Sequence, residues 1–396
     1  MSYGLHIALG FLLTVIIGCA APVDSASEKR NIVDTTLFST VENQEIIKKA
    51  DELLTLPPQT ITDFKADRSE GGLHDYYSEG SYWWPDPQCD SCPYIRKDGH
   101  RNPNNFIEHK IAIREFSLAV STLTAAYRLS NDKAYAHKAI EHLKAWFVTE
   151  RTMMNPSLLY AQAIKGISSG RGIGIIDSIV LIHVATCTEY LIAEGIIEGN
   201  TADGIRSWFD KFSTWLTTHP YGIKEQNNDN NHSTWWGAQV AAYARVAGRP
   251  DLIKLTQSEY ARQLDIQMSA DGRFQEELNR TKPFHYMNYN LRAWTCFAHV
   301  ASTPDVNLWN HKGKNGTLDK ALDFAMRYYK NPNQWTYKTE LEKEIHPKSN
   351  DFLLFSYWGT KDKEYLTHWN NLRSRSQSEI ETKAHLLIYK NEFAHE

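Results

Sequence analysis

The sequence predicts an all-α fold in which antiparallel helical hairpins stack into an incomplete α/α toroid. Amphipathic or apolar stretches with helical spacing recur along the chain, strand-like alternation is nearly absent, and consecutive helical stretches are joined by short connections. The helical patterns run near Glu42 to Leu54, Phe106 to Leu129, Lys133 to Phe147, Asp177 to Ala193, Ala202 to Leu216 and Thr234 to Ala247. They continue near Asp251 to Met268, Met287 to Ala301, Leu318 to Tyr329, Asp351 to Tyr357, Lys363 to Arg373 and Ser378 to Tyr389. Ser130-Asn131-Asp132 and Gly248-Arg249-Pro250 are typical of the connections, and no fixed-period repeat accompanies them.

Ahead of the first helix, the apolar run from Ala8 to Ile17 has the length of a signal-peptide core, whereas a membrane span needs roughly 20 apolar residues. Export follows, with residues 1–26 as the leader and 27–396 as a single toroid domain. Ile16-Ile17-Gly18-Cys19 resembles a bacterial lipobox, which would make Cys19 a lipid anchor on a periplasmic or outer-membrane lipoprotein. Ordinary cleavage near Ala21 or Ala26 is the rival, and the leader lacks Lys or Arg before its apolar run. Of the other cysteines, Cys187 and Cys296 lie in apolar helical runs and read as small core residues. Cys89 and Cys92 form a lone CxxC, expected in an oxidising compartment to be a local disulfide rather than half of a zinc site.

The net charge of -4 comes from mixed signs without basic tracts, which argues against a nucleic-acid partner. Twelve Trp and twenty Tyr supply many flat faces, either to fill helix interfaces or to stack on sugar rings.

The stretch from Gly71 to Asn105 breaks the helical pattern. It is rich in Gly, Pro and Asp, yet too aromatic for a disordered linker, and loops of this length in compact domains are usually functional or disordered. Trp83 and Trp84 are candidates to stack on sugars, and Arg96 and Lys97 to pair with carboxylates, or all four pin the loop to the helices. Gly170-Arg171-Gly172-Ile173-Gly174 follows no strand pattern and lacks a Gly-Lys-Ser/Thr, so it is not a nucleotide loop. Its glycines would let backbone approach a ligand while Arg171 reaches a carboxylate; a tight turn before the next helix is the alternative.

Two polar clusters carry the chemistry. Asn227 to Trp236 reads NNDNNHSTWW and places Asn231, His232 and Ser233 at or near a helix N-terminus, where free N–H groups favour an anion. About fifty residues on, Arg280 to Tyr289 reads RTKPFHYMNY. β-Elimination of a 4-linked uronic acid needs its carboxylate neutralised, the intermediate stabilised and the weakly acidic C5 proton removed. Asn, His and Arg suit the first task. A phenol suits the last if cations lower its pKa from about 10.

NNHSTWW and RTKPFHYMNY together resemble the signature segments of the alginate lyase superfamily of polysaccharide lyases, families 5 and 38. The resemblance implies an α/α toroid, an Asn-His pair on the carboxylate, an assisting Arg and a proton-transferring Tyr. On this chain these are Asn231, His232, Arg280 and Tyr286, with Arg273 as a fallback for Arg280. SEGSYWWPDP and PYIRKDGHRNP resemble the same superfamily, in which that region walls the substrate cleft. His285 and Tyr289, from the second signature, join Arg171, Trp83, Trp84, Arg96 and Lys97 as candidate substrate contacts.

The activity so implied is cleavage of mannuronate-rich alginate or glucuronan, with no metal or cofactor, leaving 4,5-unsaturated uronosyl ends. In β-D-mannuronate and β-D-glucuronate, H5 and O4 share a face, so Tyr286 could act as base and then acid. Guluronate would need a second proton carrier, for which His232 is the candidate. The rivals are a glycoside hydrolase using Asp229 and Glu276, and a non-catalytic sugar-binding lipoprotein.

Overall fold

The computed structural model describes residues 1, 38–89, 91–348, 350–372 and 384–389. The expected leader and lipobox, Cys19 included, and residues 378–383 of the last expected helix lie outside them. The helices are α1 (Thr40–Leu54), α2 (Glu108–Ser130), α3 (Lys133–Phe147), α4 (Leu181–Ala193), α5 (Gly199–Thr218), α6 (Pro220–Gln226) and α7 (Asn231–Ala247). They continue as α8 (Pro250–Gln267), α9 (Gln275–Leu278), α10 (Pro283–Ala301), α11 (Asp319–Lys330), α12 (Asp351–Thr360) and α13 (Lys363–Leu372).

Local chemistry sets the boundaries. Asn131, in the left-handed region at φ 57°, ends α2, and the Asp132 side chain then caps α3. Gly248, at φ 69°, ends α7, and Pro250 opens α8 at a position where a missing N–H costs nothing. Two expectations shift. The helix expected from Asp177 is interrupted: Gly172–Ser178 is a 3-10 helix, and α4 begins only at Leu181. Helices α7 and α10 each start several residues earlier than hydrophobic spacing indicates, because Asn230 and Pro283 begin them on polar sequence.

Inner helices α2, α4, α7, α10 and α12 pack one against the next, with α1, α3, α5, α8 and α13 outside them. This is the expected toroid. Segment 384–389 lies between its two ends: Arg128 on α2 donates to the Leu387 carbonyl at 2.8 Å, and the Tyr389 ring meets Phe355 on α12 at 4.9 Å. At the centre, α7 is buried almost all round, and its Gly237 leaves room for the Phe297 ring of α10. Trp146, Trp236, Trp294, Trp335 and Trp369 are fully buried, so much of the aromatic load is core. Cys187 and Cys296 are buried free thiols.

The strands are short. β1 (Tyr77–Glu79) pairs in parallel with β4 (Tyr160–Ala163), and β2 (Trp83–Trp84) pairs antiparallel with β3 (Ile95–Arg96). The β2/β3 hairpin gives the long loop its order. A Cys89–Cys92 disulfide ties its tip, while Asn102 and Asn105 donate to the carbonyls of Trp83 and Gly80.

Candidate active site

The first turn of α7 forms one side of the site. Asn230 caps it, accepting from the His232 N–H at 3.0 Å. Asn231 faces inward, and its N–H and Nδ2 both donate to the buried Glu277 carboxylate, at 2.7 and 2.8 Å. Asn231, expected to bind the substrate carboxylate, thus gives these donors to a carboxylate of the protein. Burial pushes the Glu277 carboxyl above its ordinary range, against the hydrogen bonds from Asn231. His232 is half-buried, with Nδ1 2.7 Å from Oε2 of the fully buried Glu225. A carboxylate there accepts, so Nδ1 carries a proton and Nε2 is the ring nitrogen left to face a ligand.

The first turn of α10 forms the other side. Glu342, far along the chain, accepts from the N–H groups of Phe284 and His285 and so serves α10 as a remote cap. Tyr286 follows within the same turn. Arg280 Nη2 donates to its hydroxyl at 2.7 Å, and the guanidinium lies 3.7 Å from the ring centroid. The same Nη2 donates at 3.0 Å to Asp98 of the long loop, which also accepts from Thr281 and Arg96. Burial works against ionisation of Asp98, but the Arg280 bond and charge prevail and hold its carboxyl below the usual range.

Tyr286 departs from the expected electrostatics. Burial pushes its phenol above the ordinary tyrosine range, a hydrogen bond with the Tyr82 hydroxyl at 3.1 Å adds to this, and Arg280 only partly opposes it. The resting side chain is therefore protonated. The two clusters are nonetheless joined: Glu277 holds Asn231 and feels the charges of both Arg280 and His232, while Arg280 holds Tyr286. Packing of α7 against α10 fixes the arrangement, with Tyr289 meeting Trp235 at 5.5 Å.

The remaining candidates are arranged around this core. Tyr289 is stacked on the exposed ring of His285 at 6.2 Å. Trp83 lies 5.7 Å under the Arg171 guanidinium, and exposed Lys97 lies 5.1 Å over half-buried Trp84, whose Nε1 donates to the His100 carbonyl. Arg96 is exposed and paired with Asp98 at 2.8 Å. Arg273 does not stand in for Arg280, since it is engaged by Asp271 and Tyr337. Asp229 and Glu276, the pair a hydrolase would use, are both exposed, whereas the buried carboxylates Glu225 and Glu277 hold His232 and Asn231.

Sequence reasoning gave no role to Tyr82, Glu225, Glu277 and Asp98. Tyr82 was within reach, because it adjoins Trp83 in a loop already singled out. Glu277 sits beside Glu276, and α9 turns one inward and the other out.

The family model described as alginate lyase matches residues 60–335. The chain belongs to the alginate lyase family. An alginate lyase from Bacteroides ovatus is 30% identical, over 90% of this chain and 95% of that one, with a TM-score of 0.77. Alginate lyase A1-III from Sphingomonas species A1 is 16% identical over 87% of this chain and 95% of that one, at a TM-score of 0.57, a likeness of fold. A variant of A1-III complexed with a tetrasaccharide is similar to this chain at 17% identity, 88% and 94% coverage and a TM-score of 0.58. A search of curated proteins finds no match. This alginate lyase family member is accordingly a polysaccharide lyase.

Proposed function

We propose that this lyase cleaves alginate, at mannuronate-rich stretches, by β-elimination between the first turns of α7 and α10. The observation that carries the reading is the Tyr286 hydroxyl held 2.7 Å from Arg280, beside the turn that presents His232. The substrate class is supported by the alginate lyases that the chain resembles.

In this reading the uronate carboxylate meets His232 and Arg280, whose Nη2 is already committed to Asp98 and Tyr286, leaving Nε and Nη1 for the anion. Asn231 orients the turn through Glu277. The phenolate oxygen of Tyr286 takes the C5 proton, the C5–H electron pair forms the C4=C5 bond, and the C4–O4 bond breaks. The same phenol then returns its proton to O4. One group serves both steps because H5 and O4 share a face in mannuronate. The Arg280 guanidinium favours the phenolate along its edge and over its ring, which offsets part of the cost of burial. Export, with Cys19 as a lipid anchor, completes the proposal.

Polymannuronate, polyguluronate and glucuronan, each followed by the ultraviolet absorbance of the conjugated unsaturated uronate, test the reading. Polymannuronate should give the fastest rise. Tyr286→Phe should lower turnover on the order of 10³-fold while leaving substrate affinity within a few-fold, as expected for a group that acts only in the transition state. Near-normal turnover in that variant would remove Tyr286 from the mechanism, and new reducing ends without absorbance would point to hydrolysis.

A further inference from the structure

Gln162, on β4, is a buried polar residue in a conformation that side chains avoid. Its φ of 55° is left-handed, and such strain in a non-glycine residue persists where the surroundings hold it. Here every polar group of the residue is used. Its N–H donates to Ser78 Oγ at 2.8 Å, and its Nε2 to Asp177 Oδ1 at 3.0 Å. Its carbonyl accepts from Arg171 Nε at 2.8 Å, and its Oε1 lies 3.5 Å from Arg171 Nη2.

Asp177 anchors the frame. It accepts from Ser78 Oγ at 2.5 Å and pairs with Lys110 at 2.9 Å, all of them buried or nearly so. A carboxylate only accepts, so the Gln162 amide must turn its nitrogen to Asp177 and its oxygen to Arg171. The guanidinium is thereby held over Trp83, and Gly80 leaves it room, since a side chain there would crowd both groups. Behind it, Gly172 lies against the Glu225 carboxylate that holds His232. Arg171 thus stands between the long loop and the support of the α7 site. Burial pushes its pKa down to about 10, which leaves it charged at neutral pH.

We infer that Gln162 is a positioning residue. Fixed by Asp177 and Ser78, it holds Arg171 against Trp83 as a preformed seat for the carboxylate of a uronate next to the reacting one. The inference rests on the polyuronate reading above. Gln162→Gly, which relieves the backbone, and Gln162→Met, which keeps the volume, are compared with Arg171→Ala and with each Gln162 change combined with Arg171→Ala, on polymannuronate. Melting temperature reports folding, and the Met variant carries the test if the Gly variant does not fold.

Each Gln162 variant should raise KM about tenfold with kcat within about twofold, and add less than about twofold to KM once Arg171 is Ala. An unchanged KM, a fall confined to kcat, or effects that multiply in the double variant would overturn the assignment. The same proteins are titrated calorimetrically with a mannuronate tetramer, so that a chain inactive on every polyuronate sinks the lyase reading separately. Non-multiplying losses of affinity then still support the seat, and undiminished affinity in the single variants overturns it.

Discussion

Tyr286 illustrates how a single side chain is balanced between two states. Burial and the Tyr82 hydroxyl favour the neutral phenol, and Arg280 favours the phenolate. A base whose pKa lies high is present in its active form in a fraction that grows as pH rises, so kcat/KM should climb through the alkaline range. Tyr82→Phe removes one of the contributions that hold the pKa up, and the climb should move to lower pH. A profile unmoved by that change would show that the Tyr82 contact does not set the proton affinity. His232 is held differently: Glu225 accepts from its Nδ1 and so fixes the orientation of the ring, a role that no local sequence pattern announces.

At the level of elements, the close approach of one glycine fixes where Arg171 begins. A Cβ on Gly170 would fall 1.8 Å from the Leu159 carbonyl oxygen, so backbone must move to admit any side chain. Gly170→Ala should cost about 1–3 kcal/mol, as overpacked sites do, measured as a lowered denaturation midpoint. Unaltered stability would mean that the segment yields freely.

The helices themselves were legible in the sequence because their apolar spacing is regular, and Asn131, Gly248 and Pro250 punctuate them. Helices α6 and α9 are too short to show a period, and the start of α10 depends on Glu342, which is 58 residues from Phe284. The two signature segments were readable as sequence. Their supporting carboxylates were not, since pairs such as Asn231 with Glu277 or Arg280 with Asp98 exist only once the toroid has formed.

Across the whole molecule, the core encloses imidazoles that burial keeps neutral. His142 and His385 are pushed down to about 4 and His299 to about 3, burial being the main cause in each. An unfolded chain protonates its histidines near pH 6.5, whereas these folded ones resist until about 4, so the unfolded state gains protons first. Stability is therefore fully present above about pH 6.5 and drains away as pH falls toward 4. The shift at His142 alone corresponds to about 3 kcal/mol. Denaturant titrations at pH 7 and pH 5 should differ markedly, and His142→Gln should shrink the difference; equal midpoints in the wild-type chain would refute the account.

Segment 384–389 has a bearing on how the ring comes to be. Arg128 meets Leu387 across 259 residues of sequence, and His183 meets Tyr389 across 206. Neighbouring hairpins can zip up locally, but contacts of that span reward the chain only after a long loop has been closed, which slows their formation. Assembly should thus proceed as an open horseshoe that clasps late, and a nascent chain lacking its final stretch would wait with its two ends apart.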